Sequence, residues 1–409
     1  MKQFNVPAGY RSPLISAVKN FRKAKDKLKK DFTPTLLDFG PIQILLARHF
    51  GFCYGVENAI DIAFRCVEEN PGKRIFLLSE MIHNPQVNSD LQAMGITFLQ
   101  DTYGKQLIPF ELLTPEDVVI IPAFGTTVLI EEKLRSLGIE PTVYNTTCPF
   151  VEKVWNRSEA IGEKGYSIVL HGKPKHEETR ATFSRSAVHT PTVVVNDMAD
   201  AIKLGEFVIS KKPASEFYET FKNQYSTGFN AETDLQKIGV VNQTTQLATD
   251  TQAIADYLKQ LIKNHYQLDD NNINQRFADN RDTLCYATLD NQTAVTGMIA
   301  TEANLAIVVG GYNSSNTSHL VELCETKLPT YFIDNANKIL SANLIRHANW
   351  QTKEETATAD FLPQTNPVKV LITSGASCPD ATVEQVINRL LEFFPAAKNV
   401  EEVMGEFVI

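Results

Sequence analysis

The stretch Thr146-Thr147-Cys148-Pro149 sets a cysteine between a β-like run and the start of a helix pattern. Two other cysteines stand in comparable places. Cys53 lies in Gly51-Phe52-Cys53-Tyr54-Gly55, and Cys285 lies in Asp282-Thr283-Leu284-Cys285-Tyr286-Ala287-Thr288, again ahead of a helix pattern. In open parallel sheets ligands bind beyond the carboxyl ends of the strands, so all three cysteines are placed for chemistry. We predict that Cys53, Cys148 and Cys285 converge on one iron–sulfur cluster.

Three thiolates would leave one iron of a four-iron cluster without a protein ligand, and such an iron can bind a substrate oxygen. Three unrelated core thiols are the alternative, because free cysteine is among the most buried residues. Cys66 and Cys324 lie on or beside apolar helix stripes, as core cysteines do, whereas the other three stand among Gly, Thr and Pro. Zinc bound by three cysteines and His176 or His83 is the competing metal hypothesis, although structural zinc sites usually use closely spaced pairs.

The composition is typical of a globular protein in a reducing compartment. With 409 residues, 43% of them hydrophobic, the chain is long enough for two or three domains. No apolar run approaches the ~20 residues of a membrane span and the N-terminus has no signal core, so we predict a cytoplasmic protein with no membrane partner. Six cysteines without a CxxC pair argue against a disulfide framework. A net charge of −9 argues against a nucleic-acid partner.

Residues 1–30 depart from this average because they carry nine Lys or Arg and one Asp, a local charge of +8 that leaves −17 on the remainder. Ile15, Val18, Phe21, Lys25 and Leu28 follow helical spacing, which predicts a surface helix docked by a narrow apolar stripe. A transit peptide to the plastid stroma is less favoured, since such segments are rich in Ser and Arg whereas this one is rich in Lys.

From residue 42 onward, short aliphatic runs alternate with helix-periodic segments, which predicts an α/β fold with small, mostly parallel sheets. The β-like runs are 42–47, 75–78, 118–122, 142–144, 167–170, 192–195, 238–241, 305–309, 330–333 and 368–373. We predict a basic N-terminal extension at 1–40, then three α/β domains at 41–147, 148–284 and 285–409. Two polar insertions, at 211–236 and 335–364, are expected at the periphery because polar segments rich in breakers do not form core.

Polar segments follow nearly every β-like run, and this pattern predicts a shared binding site at the strand ends. The segment from Gly310 to His319 is a glycine turn ahead of a helix N-terminus, whose N–H groups and dipole favour phosphate. Plain helix capping explains such a segment equally well when it is taken alone. The expected anion donors are His83, His176, Ser314, Ser315, Asn316 and Ser377.

The string His176-Glu177-Glu178-Thr179-Arg180 lacks the second histidine of the zinc-protease motif HExxH, because Arg180 occupies its place. A glutamate beside hydroxyl donors can instead deliver protons, and we assign this role to Glu178 rather than Glu177. Thr244 is placed to relay a proton or to hold a substrate hydroxyl. No GxGxxG and no GxxxxGK[ST] motif occurs, so electrons are expected from another protein.

Taken together, these motifs resemble the family of 4-hydroxy-3-methylbut-2-enyl diphosphate reductases, the LytB family. They occur in the family's order between about residues 42 and 390, and they are specific jointly rather than singly. The matching segments are Gly51-Phe52-Cys53-Tyr54-Gly55-Val56, Ile82-His83-Asn84-Pro85, Thr147-Cys148-Pro149, His176-Glu177-Glu178-Thr179, Asn242-Gln243-Thr244-Thr245, Cys285-Tyr286-Ala287-Thr288, Asn313-Ser314-Ser315-Asn316-Thr317-Ser318 and Gly375-Ala376-Ser377-Cys378-Pro379-Asp380.

The resemblance implies three α/β domains around a pseudo-threefold axis, with a central [4Fe–4S] cluster held by Cys53, Cys148 and Cys285. It implies reductive removal of the allylic hydroxyl of the substrate, giving isopentenyl and dimethylallyl diphosphates in the last step of the methylerythritol phosphate route to isoprenoids. The open iron would bind the hydroxyl and Glu178 would supply protons with Thr244 nearby. Ferredoxin or flavodoxin is the expected electron donor. The residues expected to hold the diphosphate are His83, His176, Ser314, Ser315, Asn316 and Ser377.

One position departs from the commonest bacterial pattern, in which a diphosphate-binding histidine stands between alanine and glycine. Here Ala123-Phe124-Gly125 carries a phenylalanine, which cannot donate to phosphate. The basic head, the insertions and the His-Glu-Glu-Thr string are similar to the longer plant and cyanobacterial branch, which also carries phenylalanine there. Thr126, Thr127 or a backbone N–H is expected to compensate.

The residues alone leave two alternative classes of protein possible. Quinolinate synthase also joins three α/β domains around a three-cysteine cluster, but its carboxylated substrates favour Arg over the Ser, Asn and His donors found here. The second alternative is a non-catalytic, metal-stabilised binding protein.

Overall fold

A computed structural model describes residues 4–278 and 285–408 of the chain, in which helices and strands alternate from residue 42 onward. The α-helices of this part of the chain are α1 (Pro13–Lys25), α2 (Tyr54–Glu69), α3 (Pro85–Ala93), α4 (Val128–Ser136), α5 (Pro149–Gly162), α6 (Glu177–His189), α7 (Met198–Val208), α8 (Ala214–Thr220), α9 (Ala248–Tyr266), α10 (Tyr286–Ile299), α11 (Ser315–Glu325), α12 (Asp380–Leu391) and α13 (Val400–Met404). The strands are β1 (Thr35–Asp38), β2 (Ile42–Leu46), β3 (Ile75–Leu77), β4 (Ile96–Phe98), β5 (Val118–Ile120), β6 (Ser167–His171), β7 (Thr192–Val195), β8 (Ile238–Asn242), β9 (Leu305–Val309), β10 (Thr330–Ile333), β11 (Ile339–Ser341), β12 (Leu344–Ala348), β13 (Glu355–Ala359) and β14 (Val368–Ser374).

The largest sheet has the strand order β1-β2-β14-β9-β10-β12-β11, with β13 paired to β12. Its four central strands, β2, β14, β9 and β10, are parallel, and the outer strands are antiparallel. All five residues of β9 are buried. Continuous apolar strands of this kind are typical of parallel sheets that are covered on both faces.

Two smaller sheets have three strands each, in the orders β4-β3-β5 and β7-β6-β8, and both are wholly parallel. The α/β class with mostly parallel sheets is therefore confirmed.

The described residues divide into two compact units. The first takes the chain up to Asp61, Ile82–Ser89 and the chain from Tyr286 onward, and the second takes Ile62–Met81 and Asp90–Cys285. The large sheet lies in the first unit and joins β2, from the predicted first domain, to β14, from the predicted third domain. The predicted limits 41–147, 148–284 and 285–409 remain a proposal.

Nine of the ten β-like runs contain a strand, and the run 142–144 does not. The prediction was wrong there because the chain satisfies itself locally: the Glu140 carboxylate accepts the backbone N–H of Thr142 at 3.2 Å and its hydroxyl at 2.9 Å. A side chain that bonds nearby backbone in this way competes with the ladder of a sheet. At the end of this run the chain forms an isolated bridge between Asn145 and Ile121, in which the Tyr144 carbonyl accepts the N–H of Ile121 at 3.1 Å.

The insertion 211–236 was also predicted wrongly, because it supplies core rather than periphery. Phe217, Phe221 and Phe229 from this segment are buried in the main hydrophobic cluster of the second unit. The rings of Phe217 and Phe229 stack with centroids 5.1 Å apart and an angle of 12°. A segment whose average composition is polar can still place a few large aromatic side chains in the core. The other insertion, 335–364, forms the antiparallel edge of the large sheet, where β13 is mostly exposed.

The predicted surface helix in the basic extension is present as α1. Its apolar stripe buries Leu14, Ile15 and Val18. The helix begins after Ser12, whose hydroxyl accepts the N–H of Ile15 at 2.9 Å, and Pro13 occupies the first helical position. β1 then adds to the edge of the large sheet by pairing with β2.

No helix among the described residues is both long enough and apolar enough to cross a membrane.

Gly51 gives a test of the turn that follows β2. Its φ is +80°, and an added Cβ would clash with the Asp380 carboxylate and stand 2.9 Å from the Lys19 ammonium nitrogen. Lys19 and Asp380 form an ion pair at 2.7 Å that the added Cβ must displace, so Gly51→Ala should lower the melting temperature somewhat more than Gly72→Ala does. Gly72 has a φ of +78° but open space around it, so its substitution carries only the left-handed backbone cost of about 1–2 kcal/mol. Equal melting temperatures for the two variants, measured by circular dichroism, would contradict the tight packing at Gly51.

Candidate active site and metal-ligand positions

The three predicted cluster ligands share one structural position, the residue directly before a helix. Cys53 precedes α2, Cys148 precedes α5 and Cys285 precedes α10. The unpaired N–H groups and the positive dipole end of a helix N-terminus lower the free energy of a thiolate placed there. Residues 282–284 of the predicted motif lie outside the described residues.

Backbone hydrogen bonds hold the first two of these cysteines in place. The N–H of Cys148 donates to the Ala123 carbonyl at 2.9 Å, and the N–H of Cys53 donates to the Ala376 carbonyl at 3.2 Å. Both cysteines are partly exposed, and Cys285 is 8% exposed.

The other cysteines lie in different surroundings, which separates core thiols from candidate ligands. Cys66 and Cys324 are inside α2 and α11 with no exposed surface. Burial raises the pKa of each of these thiols to about 12, so both stay protonated at neutral pH. Cys378, within the last matching motif, is also fully buried, and its pKa is raised to about 12 by burial. Sequence context therefore identified Cys66 and Cys324 correctly as core thiols, but it does not separate out Cys378, which is buried although it stands between β14 and the start of α12.

The donor chemistry of Cys53, Cys148 and Cys285 fits an iron–sulfur cluster, which is held by thiolates. Cys53 belongs to the first unit, and Cys148 and Cys285 belong to the second. Across residues 4–278 and 285–408, no three His, Cys, Asp or Glu side chains are grouped so that they could hold a metal ion.

A buried acid and a histidine stand at the start of α6 in the second unit. Glu178 is 1% exposed, and its Oε1 accepts the backbone N–H of Thr244. These residues meet because β6 and β8 are parallel neighbours, with His171 opposite Asn242, so the segments that follow the two strands lie side by side. The predicted pairing of Glu178 with Thr244 is thus present in the structure.

His176 caps α6 and is oriented by that role. Its Nδ1 accepts the backbone N–H of Glu178 at 3.2 Å, so in the neutral ring the proton is on Nε2. The Phe124 ring meets the imidazole edge to face, with centroids 5.6 Å apart and an angle of 85°. Phe124 therefore cannot donate to an anion but does fix the plane of a histidine that can.

Glu177, the neighbour of the candidate acid, has a different partner. It is 6% exposed, and its carboxylate accepts a short hydrogen bond from the Ser79 hydroxyl. Ser79 follows β3, so this bond ties the loop after β3 to the first turn of α6.

Gln243 is a positioning residue that sequence reasoning did not select. It is fully buried, and its Oε1 accepts the backbone N–H of Lys173 at 3.2 Å and the Thr179 hydroxyl at 3.0 Å. These bonds fasten the segment after β8 to the segment after β6. The one sequence signal was its place between Asn242 and Thr244, at the end of a β-like run.

The predicted anion donors of the first unit lie on three connected loops. The hydroxyl of Ser377 donates to the His83 carbonyl at 3.3 Å, and the Asn316 Oδ1 accepts the N–H of Ala376 at 2.9 Å. Gly311 lies so close to the His83 carbonyl that an added Cβ would clash with it. The buried side chains are His83, Ser314, Ser315, Asn316 and Ser377.

Helix capping, the alternative explanation for these polar segments, accounts for part of this donor set. The Ser314 hydroxyl is the N-cap of α11 and accepts the N–H of Thr317 at 3.2 Å. Asn316 is different. It is 3% exposed, and its Nδ2 has no hydrogen-bond partner among the residues that the structure describes. A buried amide donor without a partner is costly unless a ligand accepts its hydrogen bond.

Comparison with known proteins identifies the family of this chain. The sequence model of the family described as LytB protein matches residues 44–391. The 4-hydroxy-3-methylbut-2-enyl diphosphate reductase of Trichodesmium erythraeum is 37% identical over 356 residues, covering 87% of this chain and 86% of the relative. The reductase of Synechocystis sp. is 37% identical over 371 residues, covering 90% and 94% of the two chains.

Solved structures give the same result. One of (E)-4-hydroxy-3-methyl-but-2-enyl diphosphate reductase, the terminal enzyme of the non-mevalonate pathway, has a TM-score of 0.52 at 26% identity, covering 85% of this chain and 99% of that chain. The reductase structure from Plasmodium falciparum is similar in fold, with a TM-score of 0.61 at 22% identity and coverage of 86% and 89%. The resemblance found in the sequence motifs is confirmed, and the chain belongs to the LytB protein family.

Proposed function

We propose that this protein reduces 4-hydroxy-3-methylbut-2-enyl diphosphate to isopentenyl and dimethylallyl diphosphates. The allylic carbon–oxygen bond breaks, two electrons and two protons are consumed, and the hydroxyl leaves as water. The observation that carries the proposal is the buried donor set of the first unit, with the Asn316 amide as an unused donor ready for an anion. The reductase activity of the curated relatives supports it.

The diphosphate is assigned to neutral donors rather than to lysines. Ser314, Ser315 and Asn316 stand at the N-terminus of α11, where backbone N–H groups and the helix dipole add to their hydrogen bonds. His83 and Ser377 belong to the two loops that contact this helix start. His176 is also a proposed diphosphate donor, through its Nε2–H.

Cys53, Cys148 and Cys285 are the proposed ligands of a [4Fe–4S] cluster. When bound, the cluster supplies electrons and an iron that can accept the substrate hydroxyl. A helix start favours the thiolate, which is the form that binds metal.

Glu178 is the proposed proton donor. Its burial keeps bulk water from the carboxyl group, and the Thr244 N–H fixes one carboxyl oxygen. The other oxygen can carry the proton toward the substrate. The Thr244 hydroxyl is assigned to holding the substrate hydroxyl or relaying that proton.

Quinolinate synthase chemistry is the second candidate considered from the sequence. Binding of carboxylated substrates favours the bidentate fork of arginine. The donors proposed for the anion in the first unit are hydroxyl, amide and imidazole groups, so the allylic diphosphate is the better match.

Glu178→Gln should lower kcat by about 10²–10⁴-fold, because it removes the transferable proton but keeps an oxygen for the Thr244 N–H. The dissociation constant of the substrate should stay within about threefold of wild type, since the diphosphate donors are untouched. Turnover is measured without oxygen using a chemical reductant, and substrate binding is measured by calorimetry. Glu177→Gln is the matched control and should keep most of its activity. Equal loss of turnover and binding in Glu178→Gln would contradict a proton-donor role.

Phe124→His should leave the affinity for the diphosphate nearly unchanged, because other donors already satisfy the anion. Phe124→Ala should weaken binding by about three- to tenfold, the value of the lost edge-to-face contact with His176. Calorimetric titration of each variant with inorganic diphosphate checks both results. A large gain in affinity for Phe124→His would show that no other group replaces the missing donor.

A further inference from the structure

Four exposed lysines flank an exposed leucine in the sequence at the end of α1. They are Lys23, Lys25, Lys27 and Lys30, and Leu28 is 75% exposed, so the prediction that Leu28 lies on the apolar stripe of the helix was wrong. We call these five residues the lysine patch. An exposed apolar side chain with polar neighbours is typical of a protein docking surface, which combines an apolar centre with a polar rim.

The charges of the lysine patch are not neutralised within the protein. Neighbouring cations do have acidic partners: Lys19 pairs with Asp380 at 2.7 Å and Arg22 with Asp31 at 3.1 Å. The four lysines of the patch form no ion pair with the residues that the structure describes. On a chain with a net charge of −9, such a concentration of positive charge can attract an acidic partner selectively.

The loop that carries the patch is held rigidly. The Asp26 carboxylate accepts the backbone N–H groups of Lys30 at 3.1 Å and Asp31 at 3.0 Å, and it lies 3.7 Å from the Arg48 guanidinium. The Phe32 carbonyl packs against Gly297 of α10, where a Cβ would clash with it. A surface held in this way loses little conformational entropy when a partner binds.

Other residues of the N-terminal extension contact segments that lead to two predicted cluster ligands. Lys29, within the same loop, lies 3.9 Å from Asp290 of α10. Asp290 comes about one helical turn after Tyr286, which directly follows Cys285. The extension also packs on the loop of Cys53, since the rings of Tyr10 and Phe52 meet with centroids 5.8 Å apart.

We propose that the lysine patch is the docking surface for an acidic one-electron carrier protein. This inference rests on the proposed function, which consumes two electrons, and on a sequence without a dinucleotide or P-loop motif. Two docking events would each oxidise one reduced carrier by one electron. The two electrons then reduce the substrate, which takes up two protons and releases its hydroxyl as water. Complementary charge speeds such encounters and makes them sensitive to salt.

A binding experiment tests the surface without relying on catalysis. The variant Lys23→Glu/Lys27→Glu/Lys30→Glu should bind an oxidised acidic [2Fe–2S] ferredoxin at least about tenfold more weakly than wild type at low salt, with a shallower dependence on ionic strength. The matched control is Lys105→Glu/Lys164→Glu/Lys222→Glu, which makes the same change in net charge at exposed lysines of the second unit. Circular dichroism verifies folding, and the corresponding Lys→Gln set gives a milder version of the test.

Unchanged ferredoxin affinity in the patch variant, or an equal loss in the control, would overturn the proposal. So would binding of the patch to phosphatidylglycerol vesicles or duplex DNA in place of ferredoxin. A turnover assay separates this inference from the function on which it rests. With reduced methyl viologen the patch variant should match wild type, and with reduced ferredoxin it should lose most of its activity. Absence of turnover with viologen in the wild-type protein would instead refute the proposed function itself.

Discussion

A thiolate inside a protein needs a nearby positive partner, and this chain provides one by placing each of three cysteines directly before a helix. Cys53 precedes α2, Cys148 precedes α5 and Cys285 precedes α10, so each thiol stands at a helix start. Cys53 shows how this depends on the fold, because the parallel strand β2 delivers the helix start at Cys53 to the carboxyl edge of the large sheet. Cys66 shows the contrast, since a thiol inside a helix becomes a buried, protonated core group.

The proposed diphosphate site also relies on helix starts and not on charged side chains. The donors proposed for the diphosphate, such as Asn316 and Ser377, are neutral, and helix N–H groups supply the positive potential. A neutral donor set avoids the cost of desolvating lysines inside the protein. A group of exposed positive side chains lies instead in the lysine patch on the N-terminal extension. The substrate anion is thereby assigned to neutral buried donors, and the acidic partner protein is assigned to exposed lysines.

Local patterns predicted well what local interactions determine. The strand at 305–309 and the helix starts after Cys53 and Cys148 follow from apolar runs and breakers alone. Local sequence patterns did not predict which distant segments pair with each other. The union of β2 with β14, and the hydrogen bonds of Gln243 to the segment after β6, depend on which strands become neighbours. The buried aromatic cluster around Phe217 was missed because average polarity conceals a few well-placed rings.

The central claim is that three cysteines at helix starts hold one cluster. The most direct measurement is an iron and sulfide count with Mössbauer spectra, made without oxygen on wild type and on single Cys→Ser variants. Wild type should contain about four irons and four sulfides per chain, and the variants at Cys53, Cys148 and Cys285 should each lose most of them, whereas Cys66→Ser and Cys324→Ser should keep them. A full complement of iron retained in the variant at any of the first three positions, or zinc in place of iron in wild type, would contradict the account.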